Sequence, residues 1–381
     1  MNKSRPVSLF GKLLLFFNVL VALGLLIINL ASRINPQLFW PIALPGLTYP
    51  FFFVLNAGFV LLWILRKRWW FLLSLLTLLL GFQHLKNFVS LNSLNKPLPE
   101  SGYNLKVLSY NVRVFDLYNY GPRWELNFTQ RNNIFRFLQE GDFDIICFQE
   151  FVHDVTGAFK TLDTLPQILR ARHAHADYSR SSRGLNYFGL ATFSAWPILN
   201  TGRIVFPHRT GNMCIYTDIL VGQDTLRVYN VHLASVGLSP EDFVFLENVI
   251  SPEQVPDREY LRQGSKRILA RLARAFGHRA EQVRLIAEHM DQCPYPIILA
   301  GDLNDTPFSN AYRVLTRNYR DAFRAGRGVG QTYNWSIPGF RIDYIIHSHE
   351  FKAYNFRTGR QDYSDHFPIW VWLNFSPETP Q

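Results

Sequence analysis

The first 99 residues contain no aspartate and no glutamate, yet they carry nine cations: Lys3, Arg5, Lys12, Arg33, Arg66, Lys67, Arg68, Lys86 and Lys96. An ordinary globular domain has about a quarter of its residues charged, with both signs present. Within this stretch Leu13 to Ala31 is a 19-residue run whose only strongly polar members are Asn18 and Asn29. A helix needs about 20 apolar residues to cross a ~30 Å hydrocarbon core, so the run predicts a membrane span. A second apolar stretch, Leu38 to Leu65, is interrupted by Pro41, Pro45 and Pro50. A third runs from Trp69 to about Phe88 and frays into Gln83, His84 and Lys86. The expectation is a transmembrane region over 1–89 with about three helices, near 13–31, 41–65 and 69–88.

The cations set a direction. Lys3, Arg5 and Lys12 precede the first run and Arg66, Lys67 and Arg68 separate the second from the third, whereas only Arg33 lies between the first two. Loops rich in Lys and Arg stay cytoplasmic. Three crossings then leave everything beyond about residue 90 on the extracytoplasmic side, with a bacterial inner membrane as the expected setting. A basic start before one apolar run also fits a cleaved signal peptide. The two further runs favour retained spans, and either way the larger part of the chain ends outside.

Nine of the 39 basic residues lie in this third, which leaves 30 for residues 100–381 against all 29 acids. The net charge of +10 therefore belongs to the membrane region and is poor ground for a nucleic-acid surface. Cys147, Cys214 and Cys293 are far apart, with no CxxC pair, and Cys147 inside the apolar run 144–148 reads as a small buried hydrophobe.

Residues 90–104, SLNSLNKPLPESGYN, are polar and contain Pro97, Pro99 and Gly102, which reads as a linker. From residue 105 to 375 short apolar runs alternate with helical patterns. Strands are predicted at Leu105–Tyr110, Ile145–Phe148, Phe188–Phe193, Cys214–Leu220, Leu226–Val231, Ile297–Ala300, Ile342–Ile346 and Ile369–Leu373. Helices are predicted near Phe128–Glu140, Glu259–Met290 and Ser309–Arg317. That pattern implies one layered α/β or α+β domain containing two sheets, followed by a tail at 376–381.

Polar residues are stranded at the ends of these runs: Asn111 after KVLSY, Glu150 after DIICFQ, His232 in RVYNVHL, Asp302 and Asn304 in ILAGDLN, Asp343 in FRIDYII, and Asp365-His366 in YSDHFPIW. Each alone has an ordinary explanation as a turn former or a satisfied packing residue. Together they describe a site. A carboxylate inside an apolar run, as at Asp343, needs a partner, and His366 is a natural one, since an Asp orients an imidazole and stabilises its protonated form. Glu150 and Asp365 are hard oxygen donors suited to Mg²⁺ or Mn²⁺, with Asn111 adding a neutral oxygen. One divalent cation, one Asp to activate water and one imidazolium near developing negative charge suit phosphoester hydrolysis.

The ordered series Asn111, Glu150, His232, Asp302-x-Asn304, Asp343 and Asp365-His366 resembles the Mg²⁺-dependent endonuclease/exonuclease/phosphatase superfamily, over about residues 104–374. The resemblance implies a DNase I-like four-layer sandwich, two packed mixed β-sheets flanked by helices, with the site at the strand ends. It implies Glu150 as the principal metal ligand, assisted by Asn111 and Asp365. By the same resemblance Asp302 aligns or deprotonates the attacking water, and Asn304 holds the phosphate or the nucleophile. His366 touches the phosphoryl oxygen with Asp343 behind it, and His232 matches a histidine found in many hydrolase branches. Many nuclease members carry a carboxylate or amide where this chain has Arg113. A cation there is repelled by a metal, so Arg113 reads either as a substrate phosphate contact or as a surface residue.

Other features have two readings. Arg267, Arg271, Arg274 and His278 form one helical stripe, with Leu269, Leu272, Phe276, Ala280 and Val283 on the inward side. The stripe is either a contact for anionic lipid headgroups or a polyanionic substrate, or a solvated face. His173 and His175 read as a polar connection, and the Gly-rich segment 326–340 as a long turn or a cover bearing Tyr333 or Trp335. The expected protein is a membrane-anchored phosphoesterase acting on lipid or other extracytoplasmic phosphoesters. An extracytoplasmic nuclease and a catalytically silent membrane-anchored binding module are the alternatives, with nucleic acid the less favoured partner.

Overall fold

The structure, a computed structural model, describes residues 8–157, 159–208, 210–250, 257–334 and 339–376. The first apolar run forms helix α1 (Leu9–Ala31), opened by Ser8, whose Oγ accepts the Gly11 N–H at 3.1 Å. The prolines divide the second run. Trp40–Thr48 is a 3₁₀ segment holding Pro41 and Pro45, and α2 (Tyr49–Leu65) starts with Pro50 in its first turn, where a missing N–H costs nothing. The third run becomes α3 (Phe71–Leu80) and α4 (Phe82–Phe88), bent by 67° at Gly81. Leu9–Ala31 and Trp40–Leu65 are each long and apolar enough to cross a membrane, and the bent pair passes the same criterion jointly. Asn18, buried in α1, joins the helices: its Nδ2 donates to Ser74 Oγ at 2.6 Å and its Oδ1 accepts from Trp63 Nε1 at 2.8 Å. Such hydrogen bonds hold helices together where no hydrophobic difference from lipid does.

Beyond the helices come β1 (Ser90–Leu91), β2 (Tyr103–Asn111), α5 (Thr129–Gly141), β3 (Ile145–Asp154), α6 (Thr161–Ile168), β4 (His173–Ser182), β5 (Asn186–Ser194), β6 (Ile198–Ile204), β7 (Met213–Val221) and β8 (Asp224–His232). The chain continues through α7 (Pro240–Ile250), α8 (Arg258–Asp291), β9 (Ile297–Asp302), α9 (Asn310–Leu315), β10 (Arg320–Asp321), β11 (Arg327–Gly328), β12 (Asp343–His347), β13 (Phe351–Thr358) and β14 (Ile369–Phe375). Two six-stranded mixed sheets result, ordered β10-β12-β9-β8-β7-β6 and β13-β14-β2-β3-β5-β4. The parallel pairs are β2 with β3 and β8 with β9.

Successive side chains point to opposite faces of a strand. Leu105 and Val107 therefore enter the core between the sheets with Ile298, Ala300 and Ile345, while Leu108 and Tyr110 face the helical layer that includes Ile134 and Leu138 of α5. On the other outer face Val283, Ile286 and Met290 of α8 cover β9 and β12. Four layers follow from strands that are apolar on both faces. Cys147 is buried in the inter-sheet core, where loss of water pushes its thiol up to about 12.

All eight expected strands are present. Three longer ones were not expected. The His173–His175 segment is edge strand β4, not a polar connection: His175 Nδ1 lies 2.8 Å from Thr217 Oγ1, while His173 is exposed. An edge strand open to water carries polar residues and lacks the apolar signature, and β6 and β13 are likewise partly exposed. Residues 90–104 lie along the domain. Ser90–Leu91 pair with β11, the Lys96 N–H donates to Asn355 Oδ1 at 2.8 Å, and Arg357 bonds Asn95.

The basic stripe on α8 is also different from expectation. Asp242, fully buried on α7, takes Arg267 Nε at 2.5 Å and Arg271 Nε at 2.9 Å, so two of the stripe's cations are spent on one carboxylate. Leu269, expected to face inward, is 40 % exposed. Trp335 and the tail from 377 onward lie outside the described residues. The Ser239 N–H, and after it Arg267, pull the Asp242 carboxyl from its ordinary 3.8 down to about 2. A depressed carboxyl stabilises the fold above its ordinary value, and the stabilisation is lost as pH falls from about 4 toward 2. Asp242→Asn should lower the melting temperature at about pH 6, and the gap from the wild type should close as the pH approaches 2.

Candidate active site

The parallel pairs β2/β3 and β8/β9 bring their carboxyl ends to one edge of the domain, where ligand sites of layered α/β proteins gather. Asn111 ends β2, His232 ends β8 and Asp302 ends β9; Asp343 opens antiparallel β12 directly opposite Asp302. His366 enters from the turn before β14 in the other sheet.

Two local distortions aim the side chains. β3 continues past Phe148 to Asp154, with a bulge between Phe148 and Phe151, and Glu150 within it has φ +50°. A non-glycine residue in the left-handed region is strained, and bulges of this kind re-aim side chains beside sites. Gly301, at φ +150°, lies where a Cβ would meet the Val231 carbonyl oxygen at 2.0 Å. Only glycine lets β8 approach β9 closely enough to set His232 opposite Asp302.

Asn304 differs from the alternation expected of a strand. It turns left-handed at φ +51°, its N–H donates to Asp302 Oδ1 at 2.7 Å, and its Nδ2 donates to the Leu233 carbonyl at 2.9 Å. One Asp302 oxygen therefore caps the turn and the other, Oδ2, faces the site.

Around that oxygen the polar groups are close but not all in hydrogen-bond contact. Asn111 Nδ2 lies 3.2 Å from Asp302 Oδ2 and 3.2 Å from Glu150 Oε1. His232 Nε2 is 3.7 Å from Asp302 Oδ2 and 4.0 Å from Glu150 Oε1, and His366 Nε2 is 3.7 Å from Asp302 Oδ2. Behind His366, its Nδ1 and Asp343 Oδ2 are 2.9 Å apart. Asp302, Asp343 and His366 are all buried, and one potential ligand atom from each lies within 4.8 Å of the others, a cluster of a type able to hold a metal ion.

Burial, and then the Asp343 carboxylate, push Asp302 up to about 6. Burial works to lower His366, but the Asp343 and Asp302 carboxylates outweigh it and hold the imidazole up at about 10. At neutral pH His366 is thus a cation set between two acids, with its Nδ1–H donated to Asp343.

Arg113 and Asp365 line an adjoining groove of about 460 Å³ with Tyr333 and Phe243. Arg113 Nε is 3.9 Å from Asp365 Oδ2, and both side chains are partly in water. Arg113 opens a turn in which Arg113, Val114, Phe115 and Asp116 all have φ between +44° and +59°, held by Phe115, which is fully buried. Four successive left-handed non-glycine residues are costly, about 1–2 kcal/mol each. On the other side a groove of about 980 Å³ runs from Glu150 and His232 toward Arg180, Arg203 and His208.

Sequence reading missed the supports. Ser364 Oγ donates to the Asn111 carbonyl at 2.9 Å and ties the His366 turn to β2. Asn230, fully buried between the sheets, accepts from Gln149 Nε2 at 2.8 Å and donates to the Phe148 and Ala191 carbonyls at 3.1 and 3.0 Å. Its signal was available: an Asn at an inward position of the apolar run Leu226–Val231. Asn230→Leu leaves those partners unsatisfied, at about 1–3 kcal/mol per buried group. Urea unfolding should show a loss of about 2–4 kcal/mol.

Two packed mixed sheets with a carboxylate–imidazole centre at their strand ends define a DNase I-like hydrolase fold. A model of the Endonuclease/Exonuclease/phosphatase family matches residues 108–366, about two thirds of the chain, and the protein belongs to that family. A domain model of unknown function matches residues 11–88. The structure is similar to an endonuclease/exonuclease/phosphatase from Beutenbergia cavernae at 17 % identity and TM-score 0.51, covering 72 % of each chain. It is also similar to a family protein from Bacteroides thetaiotaomicron at 17 % identity and TM-score 0.50, covering 74 % of this chain and 98 % of that one. A mannosyl-6-phosphatase from the same organism aligns at 17 % identity and TM-score 0.47, over 71 % of this chain and 100 % of that one. No curated protein matches in sequence.

Proposed function

We propose that this protein is a membrane-anchored, divalent-metal-dependent phosphoesterase that hydrolyses phosphate mono- or diesters of lipids or other extracytoplasmic compounds. The observation that carries this reading is the buried array Asp302, His366 and Asp343 facing Glu150 and Asn111. The helices Leu9–Ala31 and Trp40–Leu65 provide the anchor in a lipid bilayer, and the cations at 66–68 favour an extracytoplasmic catalytic domain, in a bacterial inner membrane.

The donor chemistry fits Mg²⁺ or Mn²⁺. Glu150 is a carboxylate only partly withdrawn from water and Asp365 lies on the rim, both oxygen donors of the hard type these ions take. Asn111 faces Glu150 with its Nδ2 while its Oδ1 accepts the Arg113 N–H at 3.1 Å, so its oxygen would join only after the amide turns. His366 as an imidazolium has no lone pair to give, so the Asp302–Asp343–His366 cluster works better as an acid–base array than as a cation cage. A bound cation would supply charge neutralisation at the phosphoryl group.

The residues do the rest. Asp302 Oδ2 faces the space between His232 and His366 and orients a water for attack on phosphorus. Asn304 fixes the turn that holds Asp302 and flanks the reacting group. His366, charged and steered by Asp343, stabilises the negative charge that develops on the phosphoryl oxygens. His232 contacts the same group from β8, and Arg113 reaches substrate phosphate from the rim. No step requires a Ser or Cys nucleophile.

A nuclease is disfavoured by the pairing of Arg267 and Arg271 with Asp242, which removes two cations from the strongest basic stripe. The test uses the purified full chain with Mg²⁺ or Mn²⁺, offered bis-p-nitrophenyl phosphate, phospholipid vesicles and plasmid DNA in parallel. Asp302→Ala should reduce turnover by about 10²–10⁴-fold, the usual range for a positioned acid–base group. Chelation by EDTA should abolish turnover and either cation should restore it. Plasmid nicking with no ester cleavage would establish the nuclease, and inactivity toward all three would point to the silent binding module.

A further inference from the structure

The membrane helices meet the catalytic domain at the segments that carry its reacting side chains. Phe308 lies four positions beyond Asn304, in the loop between β9 and α9, and is buried. Its ring stacks on that of Tyr49, the first residue of α2, with centroids 3.8 Å apart and planes at 17°. His84 and Phe88 of α4 complete the pocket, their rings 5.9 and 6.0 Å from that of Phe308. Two residues on, Asn310 Nδ2 donates to the Ser32 carbonyl at the end of α1, at 3.1 Å.

A second clamp reaches Asp343. Arg341, two residues before it and buried, donates from Nη2 to the Asn87 carbonyl at 2.9 Å and from Nη1 to Asp321 at 2.8 Å. Asn87 Oδ1 also accepts from Arg324 Nη2 at 2.8 Å. The clamped segments are joined to each other, because the Leu303 N–H donates to the Ile342 carbonyl at 2.9 Å. On the side of the catalytic domain the same loop is held by Arg279, whose Nε is 2.9 Å from Asp305 Oδ2.

We propose that the membrane bundle is a working part of the catalytic centre, with Tyr49 acting through Phe308, and Asn87 through Arg341, as positioning residues for Asp302, Asn304 and Asp343. The proposal rests on the phosphoesterase reading for its catalytic consequence. Four residues of extended chain span at most about 14 Å, so the Asn304 Cα lies within that distance of the Phe308 Cα, whose ring packs on α2. Misplacing a reacting group by about 1 Å can cost 10²-fold in rate. An anchor alone would need only a flexible tether. This bundle instead fixes both segments from which Asp302 and Asp343 project. Loss of the Tyr49 ring frees the far end of the Asp302 loop while changing no side chain that itself faces the site.

The experiment compares wild type, Tyr49→Phe, Tyr49→Ala and Tyr49→Leu as full chains in lipid nanodiscs. Two readings are taken: bis-p-nitrophenyl phosphate turnover with Mn²⁺, and amide hydrogen exchange over 303–310 with β8 as the internal reference. Tyr49→Phe keeps the stacked ring and should match the wild type in both. Tyr49→Ala should lower kcat by about 10–100-fold with KM within about twofold, and should speed exchange over 303–310 by at least about tenfold with β8 unchanged. Tyr49→Leu, which keeps apolar volume beneath Phe308 without a ring, carries the same expectation should the alanine variant loosen β8. Wild-type exchange and kcat in Tyr49→Ala would overturn the proposal. An inactive wild type would sink the phosphoesterase reading instead, and the exchange measurement would still decide whether the bundle holds the loop.

Discussion

The contact between His366 Nδ1 and Asp343 joins the two sheets, and the site depends on it. His366 comes from the turn before β14 in one sheet, Asp343 from the start of β12 in the other. Burying an unpaired carboxylate is prohibitive, so neither acid of this centre could stand in the dry edge between the sheets without the imidazolium. The converse also holds: His366 is charged because Asp343 and Asp302 flank it. The three groups form one electrostatic unit that exists only when both sheets are packed, which ties the chemistry to the global fold.

Around that unit the protein accepts local strain to gain direction. Glu150 adopts a left-handed conformation inside a bulge, Asn304 does the same two residues after β9 has ended, and four successive residues from Arg113 are left-handed. Each departure lies within a few residues of a strand end at the site. Strain of this kind persists where surrounding packing over-determines it, here by Phe115, Phe148 and Phe151 in one aromatic cluster. Rigid anchoring then substitutes for favourable backbone geometry, and the site has little freedom to relax.

The N-terminal region continues the same logic. Its helices are bound to one another by Asn18 and to the catalytic domain by Tyr49, Ser32 and Asn87. The stretch that reads as a linker is hydrogen-bonded along the domain. A chain built this way joins its N-terminal helices to the catalytic domain through side-chain contacts and not through a free tether.

The sequence alone determined the parts whose signal is local. Apolar runs of sufficient length gave helices long and apolar enough to cross a membrane, doubly apolar runs gave the eight central strands, and polar residues in or beside them singled out Asn111, Glu150, His232, Asp302, Asp343 and His366 as candidates. Those signals survive because burial on both faces leaves a continuous pattern and because a polar residue in such a run must have a partner. The sequence did not show edge strand β4, whose exposed faces carry no periodic signature, or helix α7, whose Asp242 consumes cations that had read as a free stripe. It did not show the Glu150 bulge, the Asn230 bridge between sheets, or the stacking of Tyr49 on Phe308. These are contacts between residues tens to hundreds of positions apart, and nothing in either local segment encodes its partner. Which polar side chains meet, and which part of the membrane bundle touches the reacting loop, was decided only when two sheets and a helical bundle closed on each other.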